Sequence, residues 1–266
     1  MRRAKFDEKR SVIGIDLHGT LLNRDWSVSD TLLPKLTDMI KKLRSKAYIF
    51  ICSGNDLGFT REVLPHHLID LIDGYILENG CVFSNGKEER LLIGEAQIKI
   101  IKALESDLQK MNLPDLLFFA HRLGTVSLFT RDHREGKLPD KLFDFLNNLL
   151  QKQTLNNEIT ITHSDVAVDI LPAGNSKYSG LTRICPHQRI IAIADSCNDW
   201  EFLSRANESF LPYNCSSHIM NKFIEKGFSI LPVERYNNAA DKTVYKSEFG
   251  YTEGVLDILT KLADRL

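Results

Sequence analysis

Four short segments carry side chains that could do chemistry. Asp16-Leu17-His18-Gly19-Thr20 puts a carboxylate and an imidazole on a tight turn, and Ser53-Gly54-Asn55 puts a hydroxyl beside a glycine. Lys177 opens a helical stretch, and Asp195-Ser196-Cys197-Asn198-Asp199 sets two carboxylates at i and i+4. Together they suit phosphoryl transfer, in which a protein mainly positions groups and neutralises spreading negative charge. Asp16 has the chemistry to attack phosphorus. Asp195, with or without Asp199, could join it around Mg²⁺, a hard cation that takes a few carboxylates and keeps several waters. Lys177, the Ser53 hydroxyl and the backbone N–H groups near Gly19 and Gly54 could hold the phosphoryl oxygens. No His/Cys spacing competes for a metal.

Ligands of an open parallel sheet bind at the carboxyl ends of its strands, so these segments need strands in front of them. Residues Ser11–Asp16, Ala47–Cys52, Gly74–Leu77 and Arg189–Ala194 are short, nearly continuous apolar runs, as strands buried on both faces are. Between the first two, Leu32, Leu33, Leu36, Met39, Ile40 and Leu43 recur at helical spacing. Ser29 or Asp30 is the expected N-cap, Pro34 must sit in the first turn, and Lys41, Lys42 and Arg44 close the last. Strands alternating with helices predict an α/β fold, a doubly wound Rossmann-like parallel sheet. The middle differs, with helix Glu95–Lys110, strands Leu116–His121 and Thr125–Arg131, helix Leu138–Gln151, and strands Glu158–His163 and Val166–Leu171. This αββαββ order is antiparallel in character and predicts an inserted α+β cap domain over residues 83–172, between core segments 1–82 and 173–266. A final amphipathic helix spans Thr252–Leu266.

Composition narrows the class. Hydrophobic residues are 43% and charged residues 26%, an ordinary globular balance that excludes disordered, collagenous and coiled-coil chains. Lys plus Arg is 34 against 35 for Asp plus Glu, so no global field draws the chain to nucleic acid or an anionic membrane. A charged ligand must be captured locally. The longest apolar runs fall far short of the roughly 20 residues that cross a bilayer. Five cysteines without a C-x-x-C pair, and a start without an apolar signal region, fit reduced thiols in a cytoplasmic protein. The sequons at Asn207 and Asn214 then read as chance matches, and oligomeric state has no signature in the sequence.

The four segments resemble, in order, the four motifs of the haloacid dehalogenase (HAD) superfamily. The first is usually D-x-D-G-T and here is Asp16-Leu17-His18-Gly19-Thr20; ICSGN resembles the second, PAGNSKYSGL the third, and DSCNDW the fourth, with Ala194 for the usual Gly. LENG (Leu77 to Gly80) and the late EFGYTEGV resemble the Cof-type and sugar-phosphate phosphatase branch, whose C2 cap the αββαββ insertion also resembles. Trehalose-, sucrose- and mannosylglycerate-type phosphatases and phosphomannomutase are the nearest shapes. The resemblance implies a Mg²⁺-dependent phosphohydrolase of a small phosphorylated metabolite, most simply a sugar phosphate. Asp16 would form a phosphoaspartate, and Ser53, Gly54 and Lys177 would bind the phosphoryl group. Asp16, the His18 carbonyl and Asp195 would hold Mg²⁺, with Asp199 a metal or supporting carboxylate and Asn198 orienting the phosphate-binding groups.

Position 18 departs from the pattern. Phosphatases of the family carry there a second Asp that protonates the leaving group and then activates water, whereas this chain carries His18. Imidazole, with an ordinary pKa of about 6.5, can do acid and base work near neutral pH. A nearby Mg²⁺ would disfavour the imidazolium; Asp16 and Asp195 would favour it. Either His18 substitutes for the Asp or turnover is attenuated, by up to about 10² to 10⁴-fold. Two alternatives stay open: a protein that binds a phosphorylated ligand as sensor or scaffold, and a sugar phosphotransferase or mutase. In the cap, Arg122 at an Arg-x-Gly turn is the expected substrate contact. His121, His163, Ser164 and Asp165 read as turn residues, Arg131 to Arg134 as a solvated connection, Trp26 as packing after the first motif, and Cys197 as no nucleophile.

Overall fold

A computed structural model of the chain describes residues 6–130, 139–152, 157–164, 166–237 and 240–266. Strands β1 (Ser11–Asp16), β2 (Ala47–Cys52) and β3 (Gly74–Leu77) coincide with the first three apolar runs. Helix α1 (Leu33–Leu43) joins the first pair, and α2 (Leu57–Val63) and α3 (His66–Ile69) the second. Next come the short hairpin of β4 (Val82–Ser84) and β5 (Glu89–Leu91), then α4 (Glu95–Leu108), β6 (Leu116–Ala120) and β7 (Val126–Thr130). Helix α5 (Asp140–Lys152), β8 (Ile159–His163) and β9 (Ala167–Pro172) complete the middle. The chain ends with α6 (Lys177–Ile184), β10 (Ile190–Ile193), α7 (Trp200–Arg205), β11 (Glu208–Leu211), α8 (Ser217–Glu225), β12 (Ser229–Pro232), β13 (Thr243–Lys246) and α9 (Tyr251–Ala263).

The large sheet has the order β12-β13-β11-β10-β1-β2-β3-β4-β5, parallel from β12 to β3 and antiparallel through β4 and β5. Side chains alternate across it. Ile13, Ile15, Ile49, Ile51, Ile191 and Ile193 pack on one face with α1 and α9, while Val12, Phe50, Cys52, Ile190 and Ala192 pack on the other with α6, α7 and α8. Both faces are apolar because both are covered, and each fully buried side chain of this size contributes about 1.5–3 kcal/mol. The winding reverses at β1, which has β2 on one side and β10 on the other. Loops leave a switch point in opposite directions and open a crevice at the carboxyl ends of its strands. Asp16 ends β1, and Asp195 follows β10 by two residues.

The four-stranded sheet, β6-β7-β9-β8, is antiparallel throughout, as the αββαββ order implies. Ile101, Leu104 and Leu108 of α4 and Leu142, Leu146 and Leu150 of α5 close a separate core with Val126, Leu128, Val168 and Ile170. The β4–β5 hairpin ladders to β3 on the large sheet, so a division at residue 83 falls inside β4.

One local expectation is corrected. Leu32 stands at the N-cap of α1 without a side-chain bond, and Ser29 Oγ pairs instead with Thr31 Oγ1 at 3.0 Å, so neither Ser29 nor Asp30 caps the helix. Pro34 lies in the first turn and has no N–H to satisfy, which lessens the need for a cap. The Arg131 to Arg134 connection and Asp165 lie outside the described residues.

Candidate active site

Three carboxylates meet where β1 and β10 end. One oxygen from each of Asp16, Asp195 and Asp199 lies within 4.8 Å of the others, with Asp16 and Asp199 buried and Asp195 half-buried. Thr20 Oγ1 bridges two of them, 3.0 Å from Asp16 Oδ2 and 3.1 Å from Asp195 Oδ1. Gly19, between them, has φ +74°, and a Cβ there would stand 2.4 Å from Asp195 Oδ2. Only glycine suits that conformation and that approach.

Lys177 enters from the first turn of α6, which Ser176 caps by accepting from the Ser179 amide. Its Nζ lies 2.5 Å from Asp16 Oδ1 and 2.5 Å from Asp199 Oδ1. Burial alone would lower the ammonium's pKa, but Asp16 and Asp199 outweigh it and raise it. One ammonium cannot balance three carboxylates. Burial, then the charges of Asp16 and Asp199, push Asp195 well above the ordinary carboxylate range. Burial, against the opposing pull of Lys177, pushes Asp199 up to about 6. All three donors are hard oxygens, which fits a Mg²⁺ site.

The other expected residues gather around this cluster. Asp16 is registered with Cys52 across β1 and β2, so Ser53 and Gly54 emerge beside it. Ser53 is buried, and its Oγ accepts from the Asn55 amide at 3.1 Å while keeping its own proton to donate. The single Ser196 hydroxyl proton is shared between Asn198 Oδ1 and Asp199 Oδ2, the latter at 3.1 Å. His18 packs against Phe59, with ring centroids 5.2 Å apart, and edge-on to Trp26 at 5.6 Å; Asn55 Nδ2 stands 3.3 Å from its Nδ1. Burial lowers the His18 pKa despite Asp16, with Lys177 and Arg122 lowering it further.

Arg122 descends from the turn between β6 and β7 to the loop after β2. It is only 4% exposed, with Nη1 2.7 Å from Asp56 Oδ2 and Nη2 2.7 Å from Asn55 Oδ1. His121 contributes its carbonyl to Arg122 Nη1 at 2.9 Å, and the His163 ring packs on Phe143 with centroids 4.7 Å apart. Cys197 is half-buried, and all five thiols are unpaired.

Further contributors are given no role by the sequence, although LENG marks the segment that holds three of them. Glu78, Asn79 and Gly80 form a left-handed turn with φ of +48°, +51° and +97°. Glu78 accepts from the Leu123 and Gly124 amides at 2.8 and 2.7 Å, and Asn79 Nδ2 donates to Asp169 Oδ2 at 3.2 Å. Asn214 donates to the Gly19 carbonyl at 2.7 Å and bounds a groove of about 640 Å³ with Arg24, Tyr213 and Tyr251. Positive φ at two non-glycine residues is the kind of strain found at functional sites, but it is visible only in the backbone.

Comparison with known proteins places the fold in a family. The family model of haloacid dehalogenase-like hydrolases matches residues 13–131 and 125–223. A solved structure of Thermoplasma acidophilum 0175 superposes with a TM-score of 0.64 at 16% identity, covering 97% of this chain and 99% of that one. The sucrose-phosphatase of Synechocystis sp. PCC6803, solved with sucrose and phosphate, superposes with a TM-score of 0.66 at 13% identity over 97% and 99% of the two chains. A haloacid dehalogenase-like hydrolase from Bacteroides thetaiotaomicron gives 0.61 at 16% identity over 96% and 100%. At these identities the likeness is one of fold. No curated protein sequence matches. Among the described residues no helix is long and apolar enough to cross a membrane.

Proposed function

The chain belongs to the haloacid dehalogenase-like hydrolases, and from that premise we propose that it removes phosphate from a small phosphorylated metabolite, a sugar phosphate in the simplest case. The observation that carries the reading is the buried Lys177 ammonium 2.5 Å from both Asp16 and Asp199 at the switch point of the sheet. An Asp16 oxygen attacks phosphorus, the bond to the substrate oxygen breaks, and a phosphoaspartate forms. Water then attacks phosphorus, and the electron pair of the broken bond returns to the Asp16 carboxylate. Lys177 orients Asp16 and sets positive charge beside the phosphoryl group, and the Ser53 hydroxyl donates to its oxygens. A Mg²⁺ held by Asp16, Asp195, Asp199 and the His18 carbonyl would supply further positive charge to those oxygens. His18 occupies the acid/base position, and Arg122 acts at the edge of the substrate space. The unpaired thiols suit a reducing compartment such as the cytoplasm.

A second reading keeps the ligand and drops the turnover, making the protein a sensor or scaffold, or passes the phosphoryl group to a second sugar. His18 in place of a carboxylate favours it. The test is Mg²⁺-dependent phosphate release from a panel of sugar phosphates between about pH 5 and 9. The native chain releases phosphate, and Asp16→Asn reduces release to background. Thermal stabilisation by a sugar phosphate without release supports the binder. Appearance of the phosphate on a second sugar supports the transferase.

A further inference from the structure

Between the cap and position 18 runs a short chain of directional contacts. Arg122 carries only donors, and its Nη2 lies 2.7 Å from the end of the Asn55 amide named Oδ1. A guanidinium has nothing to accept with, so the atom facing it must be the oxygen. The orientation of the amide is therefore decided by its partner. Asp56, next in sequence, anchors the same guanidinium through Oδ2 at 2.7 Å, which leaves little freedom to turn away. The opposite end of the amide, Nδ2, stands 3.3 Å from His18 Nδ1. An amide nitrogen donates and does not accept, so Nδ1 must present its lone pair. The proton of the neutral ring is then on Nε2. Phe59 and Trp26, with centroids 5.2 and 5.6 Å away, confine the ring.

We propose that Asn55 is a positioning residue that holds His18 as the Nε2–H tautomer, and that Arg122 of the cap keeps Asn55 turned to do so. The tautomer stands on hydrogen-bond direction alone, whereas its consequence for turnover rests on the phosphohydrolase reading. Hydrolysis of a phosphoaspartate requires a base. The water oxygen bonds to phosphorus, the bond from phosphorus to the Asp16 oxygen breaks with its electrons returning to the carboxylate, and a water proton must go to a free lone pair. With Nδ1 engaged by Asn55 and Nε2 protonated, His18 has none. Held this way, the neutral ring can hydrogen-bond through Nε2–H but can neither release that proton, which would leave an imidazolate, nor accept another, so proton transfer by His18 waits until the Arg122–Asn55 contact opens. Cap docking and proton transfer by His18 thus exclude one another.

The test is ¹⁵N–¹H correlation of the imidazole rings in the full chain labelled at its eight histidines, at about pH 8, with His18 assigned by the signals lost in His18→Gln. The native spectrum should show Nε2 protonated and Nδ1 bare. Asn55→Asp, nearly the same in shape, replaces the donor by an acceptor and should invert the pattern, placing the proton on Nδ1. Rapid acid quench then follows the phosphoenzyme: with Nε2 bare to take the water proton, Asn55→Asp should raise its rate of breakdown by about tenfold or more and should not raise its rate of formation. A native His18 protonated on Nδ1 overturns the proposal without reference to any variant. So does an unchanged pattern in folded Asn55→Asp. If no phosphoenzyme forms in either protein, the hydrolase reading fails while the spectra still decide the tautomer.

Discussion

Lys177 Nζ lies 2.5 Å from Asp16 Oδ1, both side chains buried, so the carboxylate at the end of β1 is ion-paired by the first residue of α6. The same ammonium reaches Asp199 at 2.5 Å, which makes α6 the brace between two strand ends separated by the whole cap insertion. Lys177→Met keeps most of the apolar stem and removes the charge, stranding two buried carboxylates beside a third. Breaking a buried pair by deleting one partner costs about 3–5 kcal/mol. Urea denaturation in EDTA should show a loss of that size. Added Mg²⁺ should return part of it, because a cation that binds only the folded state stabilises it by mass action. A variant as stable as the native chain in EDTA would mean that the pair contributes nothing.

The acidic cluster also predicts how metal-free stability varies with pH. Asp199 rises from 3.8 to about 6 on folding, so between those values the folded state binds more protons than the unfolded one. Its contribution is present below about pH 4 and is lost as pH rises through about 6. Asp195 shifts in the same direction. In EDTA, stability attributable to this site should therefore fall across that window, and Asp199→Asn should flatten the fall. Mg²⁺ should reverse it, and calorimetry in buffers of differing ionisation enthalpy should detect protons released on metal binding near pH 5, with the share from Asp199 fading as pH rises past about 6.

Much of this architecture is legible in the sequence because strands covered on both faces must be apolar throughout and stop where the chain turns polar. That is why Ser11–Asp16, Ala47–Cys52 and Gly74–Leu77 read correctly to the residue. Strand β11 breaks the rule. Glu208 lies in its buried ladder, with Arg189 and Tyr236 on its carboxylate, and the polar residue hides the strand. The β4–β5 hairpin is three residues a side with Glu89 and Arg90 exposed, too short and too charged for a periodicity to register. At the site, residue types announce Asp16, Lys177 and Asp195. Asn55 and Glu78 stand inside recognisable segments, yet their roles and that of Asp56 are not written there, since their partners Arg122, Leu123 and Gly124 lie 45 to 67 residues away and meet them only once the cap is folded.

Gly80 tests how tightly α6 is seated. Its φ is +97°, and a Cβ would fall 2.0 Å from the carbonyl oxygen of Ser176, the residue that caps α6 just before Lys177. Strain at such a φ costs about 1–3 kcal/mol, and the clash with backbone adds to it because no side chain can swing aside. Gly80→Ala should lower Tm by more than a typical surface change and should also impair phosphate release, since relief of the clash moves Lys177. Full activity in a folded Gly80→Ala protein would show that the position of α6 is not critical.

Glu78 links cap and core through a single carboxylate. It is 1% exposed and accepts from the Leu123 and Gly124 amides at 2.8 and 2.7 Å, with Thr125 Oγ1 at 3.4 Å. Burial raises its pKa, and those amides oppose the rise. Glu78→Ala leaves two buried N–H groups without partners, a loss of about 1–3 kcal/mol. Glu78→Gln should be no rescue, because its amide adds donors where donors already converge. The loss should be confined to docking, for the cap keeps its own core of Ile101, Leu104, Leu128, Leu142, Leu146 and Ile170. Hydrogen exchange should therefore accelerate at Leu123 and Gly124 in Glu78→Ala, while the amides of β7 and β9 keep their protection. Faster exchange throughout β7 and β9 would show instead that the cap depends on the core for its folding.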